Sequence, residues 1–182
     1  MNKLVLTISV IILLTSNIFG QETKKENSKM EEFASKTGVI IKFIDYSLPN
    51  LKINYGIAET KIRKLISGSE VGYFYQISYK GKYDTKTASI AHEDLLEIIK
   101  AIQTLKSNSK IDKTLNPDYL ENKFITDDGF QLGYYVQKGK LKWYLVLEKY
   151  GSGNTVFIND ITVIEDAFAK AKIKINELKS KI

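Results

Sequence analysis

The chain has 182 residues, no cysteine, and a formal net charge of +6 from 27 basic and 21 acidic residues. This length suffices for one domain or two small ones, and the lack of cysteine excludes disulfides, thiolate metal sites and a cysteine nucleophile. The positive charge comes almost wholly from lysine, because Arg63 is the single arginine. Arginine is the residue best suited to bidentate contacts with phosphate and guanine. The charge pattern therefore indicates a solvated surface, and we expect no nucleic-acid partner.

Residues 1–21 have the layout of a secretory signal peptide. Lys3 supplies a positive charge, residues 4–14 form an apolar run broken only by two hydroxyl side chains, and Gly20 offers a cleavage site. The run is too short to span a membrane comfortably, which takes about 20 apolar residues. We expect cleavage after Gly20 or Gln21 and a periplasmic or extracellular protein without a stable membrane anchor. The alternative is an uncleaved N-terminal anchor.

Residues 22–37 are predicted to form a flexible leader or a short helix. Polar and charged side chains dominate up to residue 27 and show no apolar pattern. Ser28 and Glu31 then have the spacing of a capping box, in which two side chains satisfy the first backbone N–H groups of a helix. A helix that begins there would end near Gly38.

Residues 38–182 are predicted to form a single α+β domain that begins with strands. The apolar alternation of strands occurs at 39–46, 51–58, 71–79 and 83–90. A turn is expected at 47–50 and a tight hairpin turn at 80–82. Residues 59–66 fit either a helical turn or a bent strand.

A helix is predicted from His92 to Lys106. Its apolar side chains recur three and four positions apart and would form one stripe: Leu95, Ile98, Ile99, Ile102 and Leu105. Glu93 and Asp94 stand at its start, where the positive end of the helix dipole favours negative charge. A helix with one apolar stripe must cover one face of a sheet.

The second half of the chain repeats this order of strands followed by a helix. Strands are predicted from residue 122 onward, at 130–137, 141–150 and 155–158, with turns at 127–129 and 138–140. A capped helical turn is expected at 116–120. A final helix is expected at 162–179, with Thr162 and Glu165 as its capping box. Its apolar side chains would form one stripe: Ile161, Ile164, Phe168, Ala171, Ile175 and Leu178.

The predicted fold is therefore α+β, with a mainly antiparallel sheet of seven or eight strands and two amphipathic helices on one face. The alternative is a curled half-barrel that holds the last helix. The repeated order of elements predicts a diverged duplication of a four-strand-plus-helix unit.

No arrangement of side chains in the sequence predicts catalysis or metal binding. His92 is the only histidine, and its place at a helix start favours a capping or surface role. The Asp-Asp-Gly turn at 127–129 lacks the alternating ligands and closing glutamate of a calcium loop. Carboxylates such as Asp127, Glu148 and Asp160 lie too far apart in sequence for an acid–base pair to be inferred. We expect no enzyme activity, no cofactor and no metal.

Tyrosine is the one suggestive feature of the composition, with 11 in the chain. In the hairpin closed by residues 138–140, Tyr135, Lys142 and Tyr144 fall on the face opposite the apparent core. Tyrosine combines contact area with a hydroxyl group, so this face suits contact with a protein or a glycan. Ordinary cross-strand pairing within the sheet is the alternative explanation.

The sequence favours an exported, non-catalytic binding module whose partner-binding residues are Tyr135, Lys142 and Tyr144. Its partner would be a protein or another component of the cell envelope. We expect both tyrosines to be exposed and close together, with Lys142 beside them. The alternative function is a carrier of a small apolar ligand held between the sheet and a helix.

Overall fold

The computed structural model describes residues 27–181, so the predicted signal peptide lies outside the described residues. Three helices and eight strands are present in this range. In chain order they are α1 (Lys29–Ala34), β1 (Ile41–Ile53), β2 (Gly56–Ser67), β3 (Glu70–Lys80), β4 (Thr85–Ala91), α2 (His92–Asp112), β5 (Leu120–Ile125), β6 (Gln131–Gln137), β7 (Lys140–Val146), β8 (Thr155–Ile158) and α3 (Ile161–Lys179). The predicted α+β class is confirmed, and the helices number three rather than two.

The eight strands divide into two sheets of four. Sheet 1 has the order β1-β2-β3-β4 and sheet 2 the order β5-β6-β7-β8, and every neighbouring pair is antiparallel. The sheets approach each other through β1 and β8, where the backbone N–H of Asn54 donates to the carbonyl of Phe157 at 2.9 Å. The strands therefore form two antiparallel meanders with the same sequential strand order, and each meander is followed by a long helix.

The two long helices share one core between the sheets. Helix α2 packs on β3 and β4 of its own unit and on β5 and β6 of the other, while α3 packs on β8 of its own unit and on β1 and β2. Each helix thus meets the last strands of its own sheet and the first strands of the other. This reciprocal arrangement agrees with the predicted duplication of a four-strand-plus-helix unit.

The predicted apolar stripes are the core-facing surfaces of these helices. In α3 the buried apolar residues are those of the predicted stripe: Ile161, Ile164, Phe168, Ala171, Ile175 and Leu178. In α2 the stripe is likewise buried, except that Ile99 is only partly so. The ring of Phe168 lies 5.3 Å from that of Tyr75 on β3, in edge-to-face contact. Helices and both sheets are joined through such contacts into one hydrophobic core.

Local predictions fail at three places: the turn at 47–50, the strand at 51–58, which the β1–β2 turn at 54–55 divides, and the capping residue of the last helix. The expected turn at 47–50 is a register shift between Leu48 and Leu51 inside a continuous β1. Pro49 fits there because β1 is an edge strand, where a missing N–H breaks no ladder bond. The cap of α3 is Asp160, whose carboxylate accepts from the N–H of Thr162 at 2.9 Å.

Helix α1 packs on the other side of sheet 1, which we call its outer face because it points away from α2 and α3. The predicted capping box is present, with Ser28 and Glu31 as its two side chains. The ring of Phe33 contacts that of Phe74 at 6.4 Å, over a small cluster that contains Leu65 and Ala91. A short helix thus covers one end of this face.

Candidate interaction surface

The strand register places the three predicted site residues together on the outer face of sheet 2. Tyr135 on β6 lies directly opposite Lys142 on β7, and the next pair on the same face is Gly133 and Tyr144. The two tyrosines are therefore diagonal neighbours, with Lys142 between them in sequence and beside Tyr135 in space. The Nζ atom of Lys142 lies 6.0 Å from the centre of the Tyr135 ring.

Tyr144 differs from the expectation, because only 5% of its surface is exposed. It lies over Gly133, where a β-carbon would come within 2.9 Å of the tyrosine hydroxyl. That hydroxyl donates a short hydrogen bond to a carboxylate oxygen of Glu121. Burial, together with this bond, raises the pKa of Tyr144 well above its usual value, so the phenol stays protonated. The expected exposure of Tyr144 is therefore wrong: it forms the floor of the surface.

Tyr135 is half-buried and joins two further rings that sequence reasoning missed. Tyr119 stacks on it with ring centres 6.0 Å apart, and Phe157 on β8 meets it edge-to-face at 6.4 Å. Such geometries are those that aromatic pairs prefer. We call these four rings, from Tyr119, Tyr135, Tyr144 and Phe157, the aromatic patch.

The two missed rings carried different signals in the sequence. Phe157 alternates with the core residues Val156 and Ile158, so the strand period of two places it on the outer face. Tyr119 fell in the predicted helical turn at 116–120, but the chain there is an irregular loop, with a bend at residue 118, that leads into β5. Asn116 has a positive φ of 48°, which is compatible with a turn but not with a continuing right-handed helix.

Lysine side chains surround the aromatic patch. Lys123, Lys140 and Lys142 alternate onto the outer face and are exposed. The main opposing charge on the same face is Glu121, which is bonded to Tyr144 and lies 4.0 Å from Lys123. The patch is thus an apolar centre with a predominantly positive rim.

Among residues 27–181, none of the three helices packs on this face. Helices α2 and α3 bury their stripes in the core between the sheets, and α1 packs on sheet 1. Tyr119 remains 57% exposed and Ile125 50% exposed. Within the described range, parts of the outer face of sheet 2 are therefore open to solvent.

A polar groove of about 700 Å³ lies between α1, the outer face of sheet 1 and the loops of sheet 2. Two of the carboxylates considered from sequence, Asp127 and Glu148, line it, whereas Asp160 caps α3. Glu148 accepts from the N–H of Thr87 at 3.1 Å and pairs with Lys86 at 3.2 Å. These contacts tie the β7–β8 loop to the edge of β4, so Glu148 has a structural task.

At the same groove, Lys29 anchors α1. Its ammonium lies 2.5 Å from a carboxylate oxygen of Asp94, and its backbone N–H donates to Asp128 at 3.1 Å. Burial raises the pKa of Asp94 although the neighbouring Lys29 opposes that change. The charges of this region therefore serve to hold helix and sheets together.

A second groove, of about 740 Å³, runs between β1 and the first turns of α3. Pro49, Leu51, Val163 and Ala167 give it an apolar floor, and Lys52, Glu165, Asp166 and Lys170 are among its polar lining. It lies away from the aromatic patch, which is a flat sheet surface rather than a cavity.

His92 begins α2 and is half-buried, with its Nδ1 atom 2.9 Å from the ammonium of Lys179. Burial, and then the charge of Lys179, lowers the pKa of His92. Within the described range, no group of three or more histidine, aspartate or glutamate side chains could hold a metal ion. The helices described there also include none that is long and apolar enough to cross a membrane.

Comparisons with protein-family models, with curated proteins and with solved structures find no match to this chain.

Proposed function

We propose that the protein is an exported binding module that captures a protein of the cell envelope on the outer face of sheet 2. The observation that carries the proposal is the aromatic patch, in which Tyr135 contacts the rings of Tyr119 and Phe157 on a face that no described helix covers, with exposed lysines at its rim. Large apolar surface left open on a sheet is a common mark of a protein-binding site.

The physical properties of the patch resemble those of interface centres. Interfaces are enriched in tyrosine and other aromatic residues at their centre, and charged residues lie at the rim. Tyr135 and Tyr119 support each other by stacking, so little side-chain freedom remains to be lost when a partner binds. Exposed Lys142 adds a positive charge that would speed association with an acidic partner.

Photo-cross-linking in the native host tests this proposal. p-Benzoylphenylalanine is placed at position 135 in one variant and at position 83 in another. Tyr83 is the matched control, because it is 87% exposed and lies in the loop between β3 and β4, on the other sheet. We expect a discrete adduct with one envelope protein from position 135 and none from position 83.

The charge at the rim supplies a second comparison in the same experiment. Adding Lys142→Glu to the position-135 variant should reduce the adduct at least about tenfold while leaving the melting temperature unchanged, because Lys142 is exposed. The absence of an adduct at position 135, or the same adducts from both positions, would overturn the proposal.

A second candidate function is the transport of a small apolar ligand in the groove between β1 and α3. Its volume, about 740 Å³, falls within the range of small-molecule sites, and Leu51, Val163 and Ala167 supply apolar walls. If this function holds, a neutral fluorescent probe such as N-phenyl-1-naphthylamine should bind saturably. Ala167→Gln, which narrows the groove, should abolish that binding; unsaturable or unchanged fluorescence would rule the groove out.

A further inference from the structure

A comparison of the two units, each of four strands and a long helix, indicates which kind of partner the aromatic patch fits. Both units contain a central hairpin with a two-residue turn, closed by Ser67 and Glu70 in sheet 1 and by Gln137 and Lys140 in sheet 2. Because the period of a strand is two, positions counted from these closing pairs fall on corresponding faces in the two sheets. The hairpins can therefore be compared pair by pair.

Counted in this way, the aromatic patch corresponds to the surface that α1 covers in sheet 1. Tyr135 takes the position of Leu65, and Tyr144 that of Phe74. On the next strand, Phe157 pairs with Tyr144 as Ala91 pairs with Phe74. Leu65, Phe74 and Ala91 form the cluster on which Met30, Phe33 and Ala34 of α1 pack. Sheet 1 thus carries a helix at the place where, among the described residues, sheet 2 carries none.

The charges at this place are reversed between the two sheets. In sheet 1, Glu70 beside the hairpin turn forms a salt bridge with Lys36, just after the end of α1. The corresponding residue in sheet 2 is Lys140, and Lys142 follows it on the same face. A helix with the charges of α1 would bring Lys36 against these lysines, so like charges disfavour a second copy of α1 as the occupant. A helix with carboxylates near its end is favoured instead.

We propose that the aromatic patch binds a short amphipathic helix of a partner protein, with an aromatic residue on its apolar side and acidic residues beside Lys140 and Lys142. The inference rests on the proposed function and names the partner's chemistry. The helix lies across sheet 2 as α1 lies across sheet 1, with its C-terminal end near the 138–139 turn. Lys140 and Lys142 would also stabilise the C-terminal end of the bound helix, because that end is the negative pole of the helix dipole.

The test uses two synthetic peptides based on residues 28–37 of this chain, with acetylated and amidated ends. The acidic peptide carries Lys29→Glu and Lys36→Glu, and the basic peptide carries Glu31→Lys and Glu32→Lys. Each is titrated into the ¹⁵N-labelled protein while its amide signals are recorded by NMR. We expect the acidic peptide to shift the signals of Tyr135, Lys142 and Phe157 and to bind at least about tenfold more tightly than the basic peptide.

Charge reversal on the protein is the matched control. The double variant Lys140→Glu/Lys142→Glu should bind the basic peptide more tightly than the acidic one, because the charge beside the patch is reversed. We expect the fold to be retained, since both changed residues are exposed. Equal binding of both peptides to both proteins would overturn the inference, as would signal changes confined to sheet 1 or to the grooves.

The outcome separates this inference from the proposed function on which it rests. If position 135 forms its adduct but the cross-linked segment of the partner is not an acidic helix, the binding surface stands and the helix inference falls. If position 135 forms no adduct and neither peptide shifts the signals of sheet 2, both are overturned.

Discussion

Gly133 shows how a single residue shapes the candidate surface. A β-carbon there would lie 2.6 Å from the carbonyl oxygen of Asn122 and 2.8 Å from the β-carbon of Lys123, both on the neighbouring strand. Any side chain at position 133 would collide with β5 and with the Tyr144 hydroxyl, so glycine is required for β5 and β6 to pair beneath the ring of Tyr144. The flat floor of the aromatic patch therefore depends on the absence of a side chain.

Gly133→Ala should consequently destabilise the protein by about 1–3 kcal/mol, because a backbone oxygen cannot move aside as a flexible side chain can. Urea denaturation would measure the loss. Gly81→Ala is the control: its nearest neighbour outside adjacent residues is the Asp84 carbonyl at 3.2 Å, and it should cost clearly less. Equal losses in the two variants would show that β5 and β6 have room to separate.

Asp45, on the outer face of sheet 1, makes a contribution to the stability of the fold that depends on pH. Arg63 donates two hydrogen bonds to its carboxylate, at 2.7 and 2.8 Å, and Lys61 donates a third at 2.7 Å. The Arg63 guanidinium, with help from Lys61, lowers the pKa of Asp45 from 3.8 to about 2. Because the pKa is lower in the folded state, the stabilisation is present above about pH 4 and disappears as the pH falls through 2.

Asp45→Asn should therefore lower the free energy of unfolding at pH 7 by about 1 kcal/mol or less, since the pair is partly exposed to solvent. Urea denaturation at pH 7, 4 and 2 should show the difference from the wild-type protein shrinking between pH 4 and 2. Arg63→Lys should give a smaller loss, because it keeps the charge but not the paired bonds. A difference that persists unchanged at pH 2 would contradict this assignment.

At the scale of elements, the two long helices hold the sheets together. Helix α3 reaches sheet 1 through Phe168, which is fully buried against the rings of Tyr75 and Phe130. Helix α2 is buried in the same way through Ile98. Since each helix contacts both sheets, losing the packing of one loosens both units together.

Phe168→Ala should cost about 3–5 kcal/mol and Ile98→Ala about 2–5 kcal/mol, because each leaves a cavity in the shared core. His92→Ala should cost about 1 kcal/mol or less, since the ring is half-buried and bonded only to the end of α3. Thermal melts of the three variants would measure this order. A His92→Ala protein as unstable as Phe168→Ala would mean that the contact between His92 and the end of α3 contributes as much stability as Phe168 does in the core.

At the scale of the whole molecule, the two units use the same outer position differently. Sheet 1 covers it with α1, which Lys29 and Phe33 fasten in place. In sheet 2 no described helix covers it, and exposed lysines lie around it. The two units therefore differ at this position: one has a covering helix in the same chain, and we propose that the other accepts a helix from a partner.

Export belongs to this scale too, because we propose that the partner is met outside the cytoplasm. Lys3, the apolar run at 4–14 and Gly20 predict a cleaved signal. Mass spectrometry of the protein from its native host should give an N-terminus near Gln21 or Glu22. A membrane-bound chain that still begins at Met1 would contradict this prediction.

The order of strands and long helices, the turn at 138–139 and the buried stripes of α2 and α3 could be predicted from the sequence, whereas the β1–β2 turn at 54–55 falls inside the predicted strand at 51–58. These features are local: a strand repeats every two residues and a helix every 3.6, so the pattern of apolar residues reports them directly. The shared outer face of Tyr135, Lys142 and Tyr144 also follows from that period and from the turn at 138–139.

What only the tertiary structure decided depends on contacts between residues far apart in the chain. The split into two sheets, the continuation of β1 through Pro49 and the position of α1 are set by which surfaces meet, and local periodicity does not specify this. The burial of Tyr144 requires Gly133 on the neighbouring strand β6 and Glu121 on β5, one strand further away. The aromatic patch is completed by Tyr119 and Phe157 from opposite edges of sheet 2. Its side chains come from β6, β7, β8 and the residue before β5, so the surface exists only once these strands have paired.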